Sequence, residues 1–230
     1  MSQENLFLMI PGPVPIEEDV LNVMGGSVHA HYGPEWTAIY KDTVTDLKKI
    51  LGTKGDVFIL VGSGSSGLDA AIGSAFSSGE KVLIAINGFF GERLRDIARS
   101  YGLNTIEIQG EWGKPFDLQT IEDALRQNPD AVGLLIVHLE TSTTILNPIQ
   151  KIGRLVRERG ALFVVDAVSS LGGIPLKMDE WNIDVCVSAS QKCLGAPPGL
   201  SPVAVGERAW EQIRQNPIKN HGWYLNLQVW

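Results

Sequence analysis

The sequence has little cysteine and no excess of positive charge. Its two cysteines among 230 residues, Cys186 and Cys193, are too few for a disulfide framework, so two buried thiols in a reduced interior are expected. Lysine and arginine number 19 against 26 aspartates and glutamates, and the net charge of −7 argues against nucleic acid as a partner. The four histidines and two cysteines show no metal-binding spacing, so no metal site is expected.

Long hydrophobic runs are also missing. No apolar stretch reaches the roughly 18 residues that a membrane-spanning helix needs, so no membrane partner is expected. Residues 1–15 contain the acidic Glu4 and no basic residue before a short apolar run, which does not fit a secretory signal peptide. With 44% apolar and 20% charged residues, the composition favours a globular cytoplasmic protein with a large buried core.

Short apolar runs alternate with longer stretches of helical periodicity. The runs are continuous, which is typical of strands covered on both faces, and they predict strands at 57–61, 82–86, 105–108, 132–138, 162–168 and 185–188. Helices are predicted at 34–51, 66–75, 91–101, 118–127, 148–159 and 207–215. This alternation predicts an α/β fold with a mostly parallel sheet and helices on both of its faces.

A glycine-rich segment, GSGSSG at 62–67, joins a predicted strand to a predicted helix. Such a turn presents free backbone N–H groups and the positive end of the helix dipole, and this combination binds phosphate. The segment lacks the lysine of a P-loop and the downstream acid of a dinucleotide fingerprint. A tight turn with a serine cap is the alternative.

Polar residues follow the other predicted strands. Asp166 could bind a metal, a ribose hydroxyl or a protonated ring nitrogen, or it could cap the next turn. Lys192 lies between a buried strand and a Pro/Gly-rich turn, where it could form a Schiff base or be a surface or ion-paired lysine. His138 opens the polar cluster 138–144, where a structural role is the expectation. A phosphate site, an acid and a Schiff-base lysine together indicate pyridoxal phosphate.

Six collinear stretches between residues 9 and 210 extend this pattern. They are MIPGPVPI, VGSGSSGLDAAI, NGFFGER, HLETSTTILNPI, VDAVSSLGGIPLKMDEWNIDVCVSASQK and CLGAPPGLSPVAVGERAW. In these stretches the sequence resembles the class V, fold-type I aminotransferases that use pyridoxal phosphate, in particular the alanine–glyoxylate and serine–pyruvate branch. The resemblance implies the large domain of such an enzyme, an α/β/α sandwich around a mostly parallel mixed sheet.

The resemblance also implies roles for individual residues. Lys192 is implied as the lysine that bonds to the cofactor, and Asp166 as the partner of the pyridine nitrogen, so these two are the expected catalytic residues. The other implied cofactor contacts are Ser63, Gly64, Ser65 and Gln191 near the phosphate, Phe90 stacked on the ring and Thr141 near the phenolic oxygen. Pro11 and Gly12 resemble the segment at the substrate entrance.

The same resemblance divides the chain into segments. Residues 1–20 would form the substrate-entrance segment, residues 21–215 the cofactor-binding large domain, and residues 216–230 the start of a connection to a smaller C-terminal domain missing from this chain. In the family that domain supplies the arginine for the substrate carboxylate, and a partner subunit completes the phosphate pocket. We therefore expect a homodimer, an expectation that the apolar tail also favours through Trp223, Tyr224, Leu225 and Trp230.

The expected reaction is amino-group transfer from a small amino acid, such as alanine or serine, to glyoxylate or pyruvate. The segment HAHYGPEW at 29–36 and the run KCLGAPPGL at 192–200 are also similar to pyridoxamine–pyruvate transaminase, so that reaction stays open. A third alternative, from a different class, is an inactive piece that acts only as a phosphate-binding or dimerisation module.

Overall fold

The computed structural model describes residues 8–215 and 222–230. Seven of its strands form one sheet, and two short strands form a separate hairpin. In chain order the strands are β1 (Asp56–Val61), β2 (Lys81–Ile86), β3 (Asn104–Gln109), β4 (Gly133–Val137), β5 (Leu139–Glu140), β6 (Ile145–Leu146), β7 (Leu162–Asp166), β8 (Val185–Val187) and β9 (Leu200–Val205). The hairpin consists of β5 and β6.

Helices cover both faces of the large sheet. They are α1 (Glu18–Met24), α2 (Gly33–Leu51), α3 (Gly64–Ala75), α4 (Phe89–Ser100), α5 (Leu118–Gln127), α6 (Ile149–Glu158) and α7 (Glu207–Gln215). Along β7 the buried side chains alternate: Phe163 and Val165 pack with α2, α5 and α6, whereas Leu162 and Val164 pack with α3, α4 and α7. Both faces of the strand are therefore apolar, as its continuous hydrophobic run predicts.

The strand order is β1-β9-β8-β7-β4-β2-β3. The pairs β2–β3, β2–β4, β4–β7 and β7–β8 are parallel, and β9 runs antiparallel to both of its neighbours. All strands of this sheet except β9 therefore point the same way, and their carboxyl ends lie at one edge. The predicted α/β fold with a mostly parallel mixed sheet is confirmed.

Three elements differ from the sequence-based expectation. The periodicity of the sequence predicts none of them: they are α1, the β5–β6 hairpin and β9. Strand β9 contains Pro202, and proline inside a run argues against a strand because it cannot donate to the ladder. The predicted strands 132–138 and 162–168 end earlier, at Val137 and Asp166; after Asp166 the chain turns, and the Asp166 carboxylate accepts the amide of Val168.

The final described segment packs onto α3 and α7. The side chain of Leu227 is buried, and its amide donates a hydrogen bond to Ser74 Oγ over 3.1 Å. Trp223, Tyr224 and Trp230 remain exposed by 72%, 42% and 52%. Of the predicted connecting segment, residues 216–221 lie outside the described residues, as do residues 1–7 of the predicted entrance segment.

No helix within residues 8–215 and 222–230 combines the length and the apolar character that crossing a membrane requires.

Candidate active site

The carboxyl edge of the sheet gathers the predicted site residues. The glycine-rich segment follows β1, Phe90 follows β2, and Thr141 follows β4 by way of the hairpin. Asp166 is the last residue of β7, and Lys192 follows β8. Since β7 lies between β4 and β8 in the middle of the sheet, Asp166 occupies the centre of this edge. Ligands of open α/β sheets bind at such carboxyl edges.

Asp166 is 4% exposed, and its hydrogen-bonding capacity is only partly used. Oδ1 accepts a hydrogen bond from the Val168 amide at 2.9 Å, so the carboxylate does cap the turn that follows. Burial raises the pKa of Asp166 to about 6; the Val168 amide opposes the rise, Glu140 adds to it, and the cations Arg93 and Lys192 oppose it. The carboxylate therefore lies in a region where a cationic partner would be stabilising.

Lys192 is partly buried and contacts the N-terminal segment. Its Nζ donates a hydrogen bond to the carbonyl oxygen of Pro11 at 3.1 Å, and the amide of Val14 donates to the carbonyl of Gln191 at 3.1 Å. Gly12 has a φ of +128°, and a Cβ on it would lie 2.8 Å from Nζ of Lys192. The predicted entrance segment is therefore in direct contact with the predicted catalytic lysine.

The glycine-rich turn begins α3 with unused backbone donors. Ser63 occupies the N-cap position, but its side chain makes no capping bond, and its carbonyl instead accepts the hydroxyl of Ser66 at 2.6 Å. Within the described part of the chain, the amides of Gly64 and Ser65 have no acceptor, as expected for the first turn of a helix. A Cβ on Gly64 would lie 2.6 Å from Val168 Cγ2, so this turn abuts the loop that follows β7.

Glu140 fixes the start of α4, which carries Phe90. Its carboxylate is fully buried and accepts the amides of Phe90 at 3.3 Å and Gly91 at 3.1 Å. It also accepts the amide of Ser142 at 3.1 Å and its hydroxyl at 2.6 Å. An anion at a helix N-terminus is stabilised by the free amides and by the helix dipole. Phe90 and the hairpin are therefore held together through one side chain.

Thr141 lies next to Glu140 in the chain, on the same hairpin. Its Oγ1 donates a hydrogen bond to Ser169 Oγ at 2.6 Å, which connects the hairpin to the loop after Asp166. The hydroxyl retains acceptor capacity for a ligand. The structure thus brings Thr141 into contact with the segment that follows β7.

Several groups fit pyridoxal phosphate. The side-chain Oε1 of Gln191 is buried and has no hydrogen-bond donor in the described regions of the chain. Rotating this amide by 180° would present Nε2 there instead, a donor for a phosphate oxygen. Together with the unused amides of Gly64 and Ser65, this gives the donors that a phosphate group needs. The buried acid and the partly buried amine would supply the other contacts.

The structure also shows the environments of His138 and of both cysteines. His138 is buried, its Nδ1 lies 2.9 Å from Ser170 Oγ, and burial lowers its pKa to about 4, so a neutral structural histidine is what the structure contains. Cys186 is buried, and burial raises the pKa of its thiol. The expectation of a second buried thiol is wrong: Cys193 is exposed, because it follows Lys192 in a loop that turns over the surface.

Sequence reasoning missed two residues of this region, Glu140 and Arg93. Arg93 on α4 places its guanidinium Cζ 4.9 Å from the ring centre of Phe90, and Nη1 donates to Ser65 Oγ at 3.2 Å. Both residues lie inside the quoted stretches NGFFGER and HLETSTTILNPI. The signal was available for Glu140, because a carboxylate within a few residues of a buried strand is costly if it is buried and not surrounded by donors.

Curated relatives share most of this chain. An uncharacterized aminotransferase of Methanocaldococcus jannaschii is 42% identical over 220 residues, which are 96% of this chain and 57% of that protein. The (S)-ureidoglycine–glyoxylate transaminase of Bacillus subtilis is 37% identical over 90% of this chain and 50% of its own length. The pyridoxamine–pyruvate transaminase of Mesorhizobium japonicum is 33% identical over 95% and 56%. The chain thus spans between half and three-fifths of the length of these relatives.

A solved structure and a family model agree with these relatives. The crystal structure of an alanine–glyoxylate aminotransferase from Nostoc sp. superimposes with a TM-score of 0.94 at 35% identity, covering 100% of this chain and 62% of that one. The family model described as aminotransferase class V matches residues 19–225. With this match over most of its length, the chain belongs to the class V aminotransferase family.

Proposed function

We propose that this chain is the cofactor-binding part of a pyridoxal-phosphate-dependent aminotransferase. In this proposal residues 21–215 are its large domain, residues 1–20 its entrance segment, and residues 216–230 the start of a connection to a smaller domain. The observation that carries the proposal is the convergence of an amine, Lys192, and a buried acid, Asp166, next to the unused amides at the start of α3. The names of the relatives support the same activity.

The binding roles follow from the chemistry of each group. The amides of Gly64 and Ser65, the hydroxyl of Ser63 and the side-chain amide of Gln191 would bind the phosphate. Phe90 would lie against the ring face, because Glu140 fixes the first turn of α4. The hydroxyl of Thr141 would hydrogen-bond the phenolic oxygen, and Asp166 would pair with the pyridine nitrogen.

The catalytic roles fall to two residues. Bound pyridoxal phosphate supplies an electron sink for the electron pair left when a substrate loses its α-proton. Asp166 would hold a proton on the pyridine nitrogen, since a buried carboxylate is stabilised by an adjacent cation. Nζ of Lys192, once free of the cofactor, would take the α-proton and return it to a different carbon, first as a base and then as an acid.

The proposed substrates are a small amino acid, alanine or serine, and a 2-oxo acid, glyoxylate or pyruvate. Relatives named for glyoxylate support this pair. A second candidate is pyridoxamine–pyruvate transamination, which the 33% identical relative from Mesorhizobium japonicum favours. Both candidates use the same cofactor-side residues and differ in the amino donor.

Replacing the lysine tests the attachment of the cofactor. After incubation with pyridoxal phosphate and reduction with borohydride, the peptide containing Lys192 should gain the mass of the cofactor, and Lys192→Ala should not. Lys177→Ala is the matched control, because Lys177 is an exposed lysine paired with Glu180, and it should label at residue 192 like the wild type. Mass spectrometry measures the labelling, and retention of a reducible adduct in Lys192→Ala would refute the assigned role.

Replacing the acid tests its protonation. In the cofactor-free protein the pKa of Asp166 is about 6 against 3.8 unfolded, so folding takes up a proton between these values. The contribution of Asp166 to the free energy of unfolding should therefore fall as the pH rises from 4 to 7. Asp166→Asn should remove this loss, so the free energy of unfolding of the variant should exceed that of the wild type by about 3 kcal/mol at pH 7. The asparagine still accepts the Val168 amide. Urea unfolding across this pH range measures the difference.

Asp42→Asn is the control for that series, because Asp42 is an exposed aspartate of α2. Its free energy of unfolding should change with pH as that of the wild type does. If the free energy of unfolding of Asp166→Asn also depends on pH as that of the wild type does, the buried-acid assignment is wrong. With the cofactor bound, Asp166→Asn should lose turnover by orders of magnitude.

Titration with amino donors tests the substrates. The visible absorbance band of the cofactor-loaded, complete protein should disappear on addition of alanine or serine and return with glyoxylate or pyruvate. A response to pyridoxamine alone would select the second candidate. A protein that binds the cofactor and responds to no donor, glycine included, would instead be a phosphate-binding module.

We also propose that the complete protein is a cytoplasmic homodimer. The exposed Trp223, Tyr224 and Trp230 form an apolar group of the kind that marks interfaces, and both cysteines are free thiols, as expected in a reducing compartment. Sedimentation velocity should give the mass of two subunits at micromolar concentration. A stable monomer under these conditions would contradict the proposal.

A further inference from the structure

We infer that Arg93 binds the phosphate group of the cofactor and is the fixed positive charge at the phosphate end of the site. The inference rests on the proposed function, because it deepens the assignment of the cofactor site. It concerns a residue to which the motifs of the sequence assign no role.

The position of Arg93 places it at this end of the site. Arg93 lies one helical turn after Phe90 on α4, and its guanidinium Cζ is 5.2 Å from the ring centre of Phe89 and 4.9 Å from that of Phe90. Its Nη1 donates to Ser65 Oγ at 3.2 Å, which bridges α4 to the first turn of α3. The guanidinium thus lies between the ring predicted to stack on the cofactor and the turn predicted to bind phosphate.

Among the described residues, the charge of Arg93 has no anionic partner within ion-pair distance. Across residues 8–215 and 222–230, its contacts are a hydroxyl and two aromatic rings, all neutral, and no carboxylate lies within ion-pair distance. Two other arginines of α4 differ: Arg95 pairs with Asp96 at 2.8 Å, and Arg99 with Glu107 at 2.7 Å. A partly buried guanidinium is normally paired, so Arg93 is a cation with capacity for an anionic ligand.

A phosphate fits this capacity better than a single carboxylate. The amides of Gly64 and Ser65 stand beside the guanidinium without acceptors among the described residues, and the N-terminus of α3 favours an anion. A phosphate has three oxygens and can accept from these amides and from the planar fork of an arginine at once. The charge of Arg93 also reaches into the site, since it lowers the pKa of Asp166.

The test compares two ligands that differ only in the phosphate. Pyridoxamine 5′-phosphate and pyridoxamine carry no aldehyde, so neither can bond covalently to Lys192. In the full chain freed of cofactor, Arg93→Met should weaken binding of pyridoxamine 5′-phosphate by roughly ten- to a hundredfold, as for loss of a charged hydrogen bond. Binding of pyridoxamine should change by less than about twofold, because methionine retains the packing against the rings. Equilibrium dialysis measures both affinities.

Arg99→Met is the matched control, since Arg99 is an arginine of the same helix that bonds Thr105 and Glu107 on the surface. It should bind both ligands like the wild type. An equal loss for both ligands in Arg93→Met would mean that Arg93 acts through the ring of Phe90, and it would overturn the inference. So would unchanged affinity for pyridoxamine 5′-phosphate with a raised KM for the amino acid, which would assign Arg93 to the substrate carboxylate.

Arg93→Lys keeps the test decisive if the methionine variant folds poorly. Lysine retains the charge without the planar fork, so it should bind pyridoxamine 5′-phosphate with intermediate affinity and pyridoxamine normally. Equal losses for the two ligands here would again overturn the inference. Failure of the wild type to bind pyridoxamine 5′-phosphate would overturn the proposed function as well, whereas normal wild-type binding with an unaffected Arg93→Met overturns the role of Arg93 alone.

Discussion

The common direction of the strands is the constraint on which the site depends. Because β1, β2, β4, β7 and β8 all run the same way, residues far apart in the sequence reach one edge of the sheet. The antiparallel β9 adds a second effect, since the loop that carries Lys192 leaves β8 and enters β9 at that same edge. Backbone hydrogen bonds from Ser188 to Pro202 and from Ser190 to Leu200 join the two ends of the loop. Sheet pairing thus positions the loop that carries the amine, and the carbonyl of Pro11 accepts a hydrogen bond from the amine itself.

Two buried carboxylates near this edge have different roles because their surroundings differ. Glu140 accepts four hydrogen bonds and serves to join α4 to the hairpin. Asp166 accepts one from a backbone amide, and burial without enough donors raises its pKa. A carboxylate that is fully satisfied stabilises the protein, whereas one that is left short of donors is available to a ligand.

Much of the fold could be predicted from the sequence, because continuous apolar runs and helical periodicity report burial directly. Strand β9 could not, because its proline and the preceding Pro/Gly-rich turn mask it in the sequence, whereas pairing with β1 and β8 and the burial of Val203 and Val205 stabilise it. The family relationship of the chain was readable from its motifs. The contact of Pro11 with Lys192 and the position of Arg93 were not, because they depend on tertiary packing between distant segments. The exposure of Cys193 likewise depends on the path of a loop.

The close approach of Gly64 to Val168 has a consequence for ligand length. A Cβ at residue 64 would lie 2.6 Å from Val168 Cγ2, so only glycine allows the start of α3 to approach the loop after Asp166 this closely. The interval between the amides of α3 and the acid at the end of β7 is therefore set by the backbone. In the proposed site a larger residue at position 64 would separate the amides that bind the phosphate from the acid that pairs with the ring nitrogen, so glycine at this position would set the length of ligand that fits.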